Sequence, residues 1–509
     1  MAFQKYPIGH QDFAKIITED FVYVDKTRFV HQLVERGGYY FLSRPRRFGK
    51  SLLISTFDYL FKGKKELFEN LYIYDQWSFE EYPVIRISFS QLAYEKENLE
   101  GALKKELISI GNSYNLSLDI NNAVKDIFKQ LIHKLHQEYN QQVVVLIDEY
   151  DKPLIDYLDK ENLHKAIENR AVLKSFYSIL KDADPHLKMV FITGVSKFSQ
   201  VSIFSDLNNL NDISVQEAFN EVCGISQKEL EANFPKELEI YDKVQVKEWY
   251  NGYRWDENAA TVYNPFSILS FFNNGGKFIN YWYSTGTPTF LMKKSREEQF
   301  YQFEELTFDL NDLQNFDIEN LKVIPILFQT GYLTITGKDP ILNNLILNFP
   351  NREVKESYLR NLADLYIQSD MVPAKAILEK IIKALRLKNE KELEKAFNLA
   401  FAQIPYDLWQ KENEHFYHAI IHLLFSLLGL YIESEVHTQY GRADIIIHFE
   451  NNVYCMEFKL DKTAEEALQQ INERGYLDKY VGTYCNTSLH RIGINFSSAD
   501  KKVESIRWV

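Results

Sequence analysis

Short apolar segments alternate with helix-like segments over residues 1–215 of the chain. Each apolar segment is rich in β-branched or aromatic residues and is followed by turn or helix signals, which is the pattern of β-strands. Four strands are predicted in this way, at Tyr39–Ser43, Pro83–Ser90, Val143–Asp148 and Lys188–Ser196. Because strands joined through helices pair in parallel, the pattern predicts an α/β fold with a mainly parallel sheet.

Residues 216–305 have mostly helical patterning, and we predict that they form a helical lid. This segment contains an aromatic block, Trp249–Trp255. Packing in the core or against the lid is the favoured interpretation of the block, and a base-stacking platform is the alternative.

Residues 306–357 have the pattern of a short helix followed by a hairpin. The helix is predicted at Ile318–Gln329 with Gly331 as its stop, and Tyr332–Thr336 and Leu345–Phe349 alternate like two strands. This layout resembles a winged helix, a unit that binds DNA in some proteins and only packs against an adjoining domain in others. Packing is favoured here, because the predicted helix carries a single Lys and no Arg.

Apolar positions at helical spacing characterise residues 358–405, which we predict to be a helical linker. Ala374, Ile377, Ile381 and Leu385 lie on one helical face, and a bridging pair of helices is the default interpretation. Residues 406–509 form the last predicted domain.

Length and composition are those of a folded protein with several domains. The 509 residues suffice for about three domains, and 45% hydrophobic with 25% charged residues is an ordinary balance. The formal net charge of −13 argues against a generally basic surface. Binding of nucleic acid would therefore need a local groove, a metal-bridged contact or a partner protein.

Cysteine usage and hydropathy predict a cytoplasmic protein. Cys223, Cys455 and Cys485 are far apart and form no CxxC pair, which argues against a disulfide framework or a zinc ribbon and favours a reducing compartment. The first residues contain no apolar leader segment. The longest apolar stretch, Ala419–Ile432, is interrupted by polar residues and is too short to span a bilayer.

A basic turn that contains glycine follows the first predicted strand. Gly49, Lys50 and Ser51 supply the last three positions of the phosphate-binding pattern G-x-x-x-x-G-K-[ST], in which the Lys reaches the β- and γ-phosphates and the hydroxyl binds Mg²⁺. Arg44 stands where this pattern has its first Gly. The predicted ATP-binding residues of this segment are Arg44, Arg46, Arg47, Phe48, Gly49, Lys50, Ser51 and Leu52.

The third predicted strand ends in two carboxylates, Asp148 and Glu149. Asp148 would hold Mg²⁺ together with Ser51, and Glu149 would orient or deprotonate the attacking water. Thr193, at the end of the fourth strand, would sense the γ-phosphate. The alternative is a basic turn beside a strand capped by acids, but the two halves together favour nucleotide binding. Whether the site hydrolyses ATP stays open, because Arg44 replaces a Gly that normally allows a tight turn.

Three segments resemble the bacterial AAA-ATPase-like family: Tyr23–Thr27, Phe41–Ser51 and Gly194–Phe198. The resemblance covers residues 1–215, and Asn251–Tyr253 is similar to that family as well. It implies a P-loop NTPase fold of the ASCE type, with an AAA-like parallel sheet. It also implies that the Arg-for-Gly loop is a family trait and that a nuclease-like domain commonly ends the chain.

Two strand-like segments near the C-terminus, Ala443–Phe449 and Val453–Leu460, flank a turn. If Asn451 and Asn452 form a two-residue hairpin loop, Glu450 pairs with Val453. Counting outward from that pair puts Asp444 opposite Lys459, with Glu457 diagonal to it.

Strand alternation puts Cys455, Glu457 and Lys459 on one face of the second segment. Asp444 and Glu457 can then hold Mg²⁺ or Mn²⁺, and the carbonyl of Phe458 would complete the shell. Lys459 would position and polarise the attacking water. A structural Glu–Lys pair in a surface hairpin is the alternative, because the spacing alone occurs often by chance.

The surroundings of this hairpin favour a nuclease. Helix-like segments precede and follow it, at His415–Leu430 and Thr463–Lys479, and this α-β-β-α layout resembles the PD-(D/E)XK nuclease superfamily over residues 410–485. Gln470 and Tyr476 resemble the Q…Y element of its RecB-like branch. The resemblance implies four catalytic residues, namely Asp444, Glu457, Lys459 and Gln470. Some nucleases of this class use an extra glutamate of the first helix, for which the candidates are Glu414, Glu412 and Glu433.

These patterns together predict an ATP-gated, metal-dependent nuclease that acts on nucleic acid, with DNA favoured over RNA. A prokaryotic role in defence or in mobile-element control is implied by resemblance alone. No membrane partner is expected, and a homo-oligomer and an arginine supplied in trans stay open. One alternative is an ATP-binding switch whose nuclease-like domain binds a partner without cutting. Another is a nuclease with a structural nucleotide site that does not hydrolyse ATP.

Overall fold

The computed structural model describes most of the chain in two compact units. The described residues are 5–197, 203–282, 291–292, 294–295, 298, 306–310, 313, 318–319, 321–367, 374–403, 423–424, 433–435, 445–449, 451–480 and 488–509. One unit comprises Met1–Phe290 with Phe303–Val354, and the other comprises Leu291–Gln302 with Lys355–Val509. In the part of the chain that the structure describes, no helix is long and apolar enough to cross a membrane.

The first unit is built on a five-stranded parallel sheet. Its strands are β1 Gly38–Ser43, β2 Val84–Ser88, β3 Val143–Asp148, β4 Leu187–Gly194 and β5 Leu210–Asp212. They pair in the order β2-β3-β4-β1-β5, with every pair parallel. The predicted α/β class is confirmed, and β4 separates β1 from β3, as the ASCE type requires. The fifth strand was not predicted.

Helices surround this sheet, and every residue of β3 is buried, as expected for a parallel strand covered on both faces. The helices are α1 Phe13–Thr18, α2 Thr27–Arg36, α3 Lys50–Phe61, α4 Leu99–Ser113, α5 Val124–Tyr139, α6 Lys152–Ile155 and α7 Leu163–Asp182. Short 3₁₀ turns lie at Lys65–Phe68, Tyr72–Asp75, Phe89–Gln91, Asp184–His186 and Glu217–Phe219. The apolar stripe of α5 packs inward through Ile127, Leu131 and Leu135, which are fully buried.

The segment predicted as a lid is helical and also contains a small antiparallel strand pair. Its elements are β6 Ile225–Ser226, α8 Gln227–Asn233, α9 Pro235–Ile240, α10 Lys243–Tyr250, β7 Val262–Tyr263 and α11 Pro265–Asn273. A capping box between Ser226 and Glu229 begins α8. Aromatic side chains such as Phe234, Tyr250 and Phe271 form a separate core here.

The segment predicted as a winged helix contains β8 Leu306–Phe308, α12 Val323–Thr330, β9 Thr334–Lys338 and β10 Leu345–Asn348. The three strands pair antiparallel in the order β8-β10-β9. Gly331 ends α12 with a left-handed φ of 89°, which confirms it as the helix stop. The predicted start at Ile318 is wrong, since Ile318 lies in a turn and Pro325 occupies the first turn of a helix that begins later.

The second unit contains a five-stranded mixed sheet and four helices with described bounds. In chain order these elements are α13 Arg352–Ile367, α14 Ala374–Arg386, α15 Glu390–Phe401, β11 Glu433–Glu435, β12 Ile445–Phe449, β13 Asn452–Leu460, α16 Ala464–Glu473, β14 Ser488–Ser497 and β15 Lys502–Trp508. A 3₁₀ turn lies at Asp478–Tyr480. The strand order is β11-β12-β13-β14-β15, and only β13 and β14 among these pairs are parallel. This is the mixed sheet of a nuclease-like fold.

The two faces of β13 meet different helices, as strand alternation predicts. Val453 and Cys455 lie in one apolar cluster with Ile471 of α16. On the other face, the hydroxyl of Tyr454 donates to a carbonyl oxygen of α14 at 3.2 Å, and the ring of Phe458 meets Phe397 of α15. The helical pair α14–α15, predicted as a bridge, therefore packs on this sheet.

The register of the β12–β13 hairpin differs from the prediction. Val453 pairs with His448, and Phe449 pairs with Asn452, so the predicted pairing of Glu450 with Val453 is wrong by two positions. The reason is that Asn452 begins β13 instead of forming the loop: it pairs with Ser488 of β14 and its side chain is hydrogen-bonded to His490. A shift of two positions leaves the predicted faces unchanged.

Candidate nucleotide site and candidate nuclease centre

The loop between β1 and α3 has the backbone of a phosphate cradle. Gly49 has a left-handed φ of 93° directly before α3, and Arg47 adopts the same region with φ of 68°, which is rare for a residue with a side chain. These two positions turn the chain sharply into the helix. The first N–H groups of α3 have no partner within the helix, so its N-terminus favours an anion.

Lys50 folds back over the loop that precedes it. Its ammonium group donates to the carbonyl oxygens of Arg44 at 2.9 Å and Pro45 at 3.0 Å. Burial lowers the pKa of Lys50, and the carboxylates of Asp148 and Glu149 oppose that shift. An incoming phosphate can compete for this cation, because it offers charged acceptors in place of neutral carbonyls.

Arg44 turns away from the cleft and braces the loop from within the fold. Its side chain is 1% exposed, and its guanidinium donates to carbonyl oxygens of Ser43, Ser214 and Phe219 at 2.6–3.0 Å. The guanidinium also stacks 3.9 Å from the ring centre of Trp255. Burial lowers the pKa of Arg44 to about 10. Its predicted phosphate contact stays a prediction, and the geometry gives the side chain a bracing role.

The aromatic block Trp249–Trp255, which begins at the end of α10, supports the same loop. The ring of Phe48 meets Tyr253 at 4.8 Å and Trp255 at 5.4 Å, both edge to face. Tyr253 and Trp255 are buried. The predicted core role of this block is therefore confirmed, and its particular task is to hold the phosphate loop.

The acidic residues stand at the carboxyl end of the sheet beside this loop. Asp148 ends β3 and accepts a hydrogen bond from the hydroxyl of Thr193 at 2.7 Å. Thr193 lies on β4, where it pairs with Leu42 of β1, so it stands between the acid and the phosphate loop. Glu149 has a left-handed φ of 55°. A strained backbone of this kind is frequent at functional sites.

A cleft of about 410 Å³ lies beside the phosphate loop, within the size range of small-molecule sites. Of the predicted residues at the strand ends, Glu149 lines it, whereas Asp148 and Thr193 are buried and are not among its lining residues. Predicted residues that line it are Arg46, Arg47, Gly49, Lys50, Ser51, Leu52 and Glu149. Two further walls come from residues 7–11 of the N-terminal segment and from Pro265, Phe266 and Leu269 of α11. Neither wall was predicted, because no local motif distinguishes these residues from ordinary packing positions.

Asp151 also lines the cleft and was not among the predicted site residues. It lies three positions after Asp148 and accepts hydrogen bonds from Ser196 and Val195. The sequence feature that could have identified Asp151 as a site residue is its position just after the two acids Asp148 and Glu149. Lys197, two residues after Val195, forms a buried ion pair with Asp212 at 2.6 Å.

In the second unit, three predicted polar residues meet on one face of the sheet. Glu457 is 2% exposed; the ammonium group of Lys459 donates to its carboxylate at 3.0 Å and to the side-chain oxygen of Gln470 at 2.6 Å. The amide of Gln470 donates to Glu457 as well. The neighbouring cation and amide make the burial of this carboxylate tolerable. The three residues thus form one hydrogen-bonded network.

Helix α16 brings Gln470 to this network. Thr463 caps the helix by accepting from the N–H of Glu466, and the hydroxyl of Tyr476 accepts from Gln470 at 3.2 Å. Gly493 of β14 pairs with Glu457 and has no side chain to hold the helix away. The predicted Gln and Tyr therefore lie beside the predicted Glu and Lys.

Asp444 lies outside the described residues, as do Glu412 and Glu414. Glu433 begins β11, but the structure does not describe its side chain. Within the described ranges no group of three or more His, Cys, Asp or Glu side chains could hold a metal ion. The carboxylate of Glu457 offers the oxygen donors that Mg²⁺ and Mn²⁺ prefer, and the predicted metal role of Glu457 and Asp444 stays a prediction. Cys223 and Cys455 are buried, and Cys485 is not among the described residues.

The fold and the first site define a P-loop NTPase. The strand order β2-β3-β4-β1-β5, a Gly-Lys-Ser turn after β1 and an acid at the end of β3 are its structural attributes. The second sheet, with a helix crossing between two parallel strands, is consistent with a nuclease fold.

Comparisons with known proteins agree with both classes. A family model described as predicted AAA-ATPase matches residues 7–204, and one described as PD-(D/E)XK nuclease superfamily matches residues 412–506. The chain is 37% identical over 522 residues to the "Uncharacterized protein in vnfD 5'region" of Azotobacter chroococcum mcd 1, covering 99% of this chain and 98% of that relative. No solved structure matches the chain significantly. The chain belongs to the AAA-ATPase-like family and carries a PD-(D/E)XK nuclease superfamily domain, and these domains indicate ATPase and nuclease activity.

Proposed function

We propose that the chain binds ATP with Mg²⁺ and uses this nucleotide to gate a metal-dependent nuclease, with DNA as the favoured substrate. The observation that carries the ATP site is the cleft in which Lys50, Ser51 and Glu149 meet at the end of the parallel sheet. Its cationic end fits a triphosphate, since Arg46 and Arg47 line it together with Lys50. Its apolar wall from α11 suits a flat base.

Ser51 and Asp148 would hold Mg²⁺ at this site, because a hydroxyl and a carboxylate are the oxygen donors that this ion takes in P-loop proteins. The ion would supply neutralisation of charge on the β- and γ-phosphates. Lys50 would leave the loop carbonyls and bind the phosphates. Glu149 would orient and deprotonate the attacking water. Thr193, bonded to Asp148, would contact the γ-phosphate end.

At the nuclease centre, Glu457 and Asp444, with the carbonyl of Phe458, would hold Mg²⁺ or Mn²⁺. The metal would supply stabilisation of charge on the phosphate. Lys459 would position the attacking water. Gln470 would hold the Lys459 ammonium and the Glu457 carboxylate in fixed positions. The hydrogen-bonded network of these three side chains supports the assignment.

Nucleic acid would need a local basic surface, because the whole chain carries a net charge of −13. The exposed face of α14 offers such a surface in the second unit. It carries four basic side chains and one acidic side chain, namely Lys375, Lys380, Lys383, Arg386 and Glu379. Lys and Arg clustered along one helical face are typical of contacts to a phosphate backbone.

Two experiments test the proposal separately. Turnover of ATP and binding of a fluorescent ATP analogue should both be lost in Lys50→Ala, because its ammonium is the central cation of the loop. Cleavage of labelled single- and double-stranded DNA and RNA should require Mg²⁺ or Mn²⁺ and should be lost in Glu457→Ala. Glu466→Ala, an exposed position on α16, is the matched control. A folded protein that binds ATP but cuts none of these substrates would contradict the nuclease and favour a switch that binds a partner.

A further inference from the structure

Asp151 is a buried carboxylate of the ATP cleft to which the proposed reaction gives no role. It is 1% exposed and lines the cleft. Its carboxylate accepts the N–H of Ser196 at 2.7 Å, the hydroxyl of Ser196 at 2.6 Å and the N–H of Val195 at 3.1 Å. Hydrogen bonds to an ionised acceptor are about twice as strong as neutral ones. Asp151 therefore holds the turn after β4 firmly.

This turn is linked to the acid at the end of β3 and to the phosphate loop. Just before it, Thr193 donates through its hydroxyl to Asp148. The carbonyl of Gly194 accepts the N–H of Arg44, the first residue of the phosphate loop, at 3.2 Å. A displacement of the turn would therefore move the γ-phosphate end of the site relative to the phosphate loop.

The close approach between Asp151 and the turn depends on Gly194. A Cβ added at Gly194 would lie 2.6 Å from the ring of Tyr150 and 2.8 Å from a carboxylate oxygen of Asp151. Separations under 3.0 Å of this kind force atoms to shift. The N–H of Tyr150 also donates to the carbonyl of Thr193 at 2.9 Å. Tyr150 and Asp151, which follow β3, thus hold the end of β4 in place through close contacts and hydrogen bonds.

The far side of the turn is tied to α12. The N–H of Lys197 donates to the side-chain oxygen of Gln329 at 2.7 Å, and the amide of Gln329 donates in turn to the carbonyl of Leu313 at 2.9 Å. The turn is thus held from the nucleotide side by Asp151 and from the other side by Gln329.

Asp151 is placed to act on the turn through its hydrogen bonds. Burial raises the pKa of Asp151, while its bonds to Ser196 and Val195 and the nearby ammonium of Lys50 lower it. The N–H groups and the hydroxyl that donate to this carboxylate all belong to the turn. A role through other residues fits this position better than direct acid–base work.

We propose that Asp151 is a positioning residue of the ATPase site, which fixes the turn Gly194–Lys197 so that Thr193 and Asp148 stay aligned with the phosphate loop for hydrolysis. This inference rests on the proposed ATPase function and deepens it. Nucleotide binding through Lys50 and the loop does not need the alignment. Turnover needs it, since a misplacement of about 1 Å at a reacting centre costs on the order of a hundredfold in rate.

The test compares Asp151→Asn with wild type in full-length protein. The amide keeps the shape of the side chain but presents an N–H₂ group to backbone donors, so at least one hydrogen bond is lost. We expect kcat for ATP to fall by about tenfold to a hundredfold, while the Kd of a fluorescent ATP analogue changes by less than about threefold. Asp156→Asn is the matched control, because Asp156 is bonded to Tyr94 and Lys152 and does not line the cleft.

Ser196→Ala provides a second variant with a smaller perturbation, since it removes the hydroxyl donor and keeps the N–H. It should also lower kcat without weakening nucleotide binding. If Asp151→Asn fails to fold, this variant tests the positioning role in its place. Unchanged kcat in folded Asp151→Asn, or equal losses of kcat and binding, would overturn the positioning role. Wild-type protein that binds ATP without turnover would instead overturn the proposed hydrolysis, so the two failures are distinguishable.

Discussion

Gly493→Ala tests whether the seating of α16 on its sheet controls the nuclease centre. A Cβ at this position would overlap the carbonyl oxygen of Ala464 and lie 3.0 Å from the backbone nitrogen of Leu468. Both atoms are helix backbone and cannot rotate away, so α16 must move outward by about 1 Å to relieve the overlap. The bond from Lys459 to Gln470 is 2.6 Å long, and such a movement would carry it beyond hydrogen-bonding distance.

The expected result is slower cleavage by a protein that remains folded. Overpacking should lower the free energy of unfolding by about 1–3 kcal/mol, and misplacement of Gln470 should lower the cleavage rate on the order of tenfold to a hundredfold. The assay is single-turnover cleavage of labelled DNA at saturating Mg²⁺, beside urea unfolding. ATP turnover in the same preparation reports whether the first unit remains intact.

Gly337→Ala is the matched control, because a Cβ at Gly337 in β9 meets nothing closer than 3.6 Å. It should change neither cleavage nor, beyond about 0.5 kcal/mol, stability. Wild-type cleavage by Gly493→Ala, with its stability lowered as expected, would refute the claim that α16 positions the centre.

Three other perturbations have expected outcomes. Arg44→Ala should lower the free energy of unfolding by about 3 kcal/mol in urea titrations, because it removes charged hydrogen bonds to buried carbonyls; an unchanged free energy would contradict the bracing role. Lys380→Gln with Lys383→Gln should reduce the salt dependence of DNA binding, lowering the slope by up to about 0.7–0.9 for each phosphate that the variant no longer neutralises. The matched control is the pair Lys125→Gln and Lys129→Gln on α5, and equal slopes in the two variants would argue against α14 as the binding surface. Burial raises the pKa of Glu353 to about 7, so the folded state binds more protons than the unfolded chain between roughly pH 4.5 and 7, and stability falls as pH rises through that window. Relative to wild type, the free energy of unfolding of Glu353→Gln should therefore rise by about 2–3 kcal/mol between pH 5 and pH 8 in urea titrations. An equal pH dependence of the two proteins would contradict this.

The regular elements near the first site were predictable because their apolar runs end at polar residues of distinct chemistry. Val143–Asp148 is a strand with the predicted bounds, since a run of aliphatic residues stops at two acids. β5, Leu210–Asp212, was missed because three residues with polar members carry no periodic signal. α12 begins later than predicted because Pro325 is tolerated only in the first turn of a helix, which sets the start shortly before it.

The arrangement of side chains was less predictable than the strands. The network of Glu457, Lys459 and Gln470 follows from strand alternation and from the phase of α16, both of which are local. The orientation of Arg44 depends on Ser214 and Trp255. Because these residues lie far from Arg44 in sequence, no local pattern could predict it. The hairpin register failed for a similar reason, because β14 holds Asn452 in the sheet.

The most direct test of the central claim measures the rate of DNA cleavage in Mg²⁺ as a function of ATP concentration for wild type, Lys50→Ala and Glu457→Gln. The proposed gating predicts that ATP changes the wild-type rate, that Lys50→Ala cuts at a rate independent of ATP, and that Glu457→Gln does not cut while still binding ATP. Cleavage by Glu457→Gln at the wild-type rate would contradict the nuclease centre. An identical response to ATP in wild type and Lys50→Ala would contradict the gating.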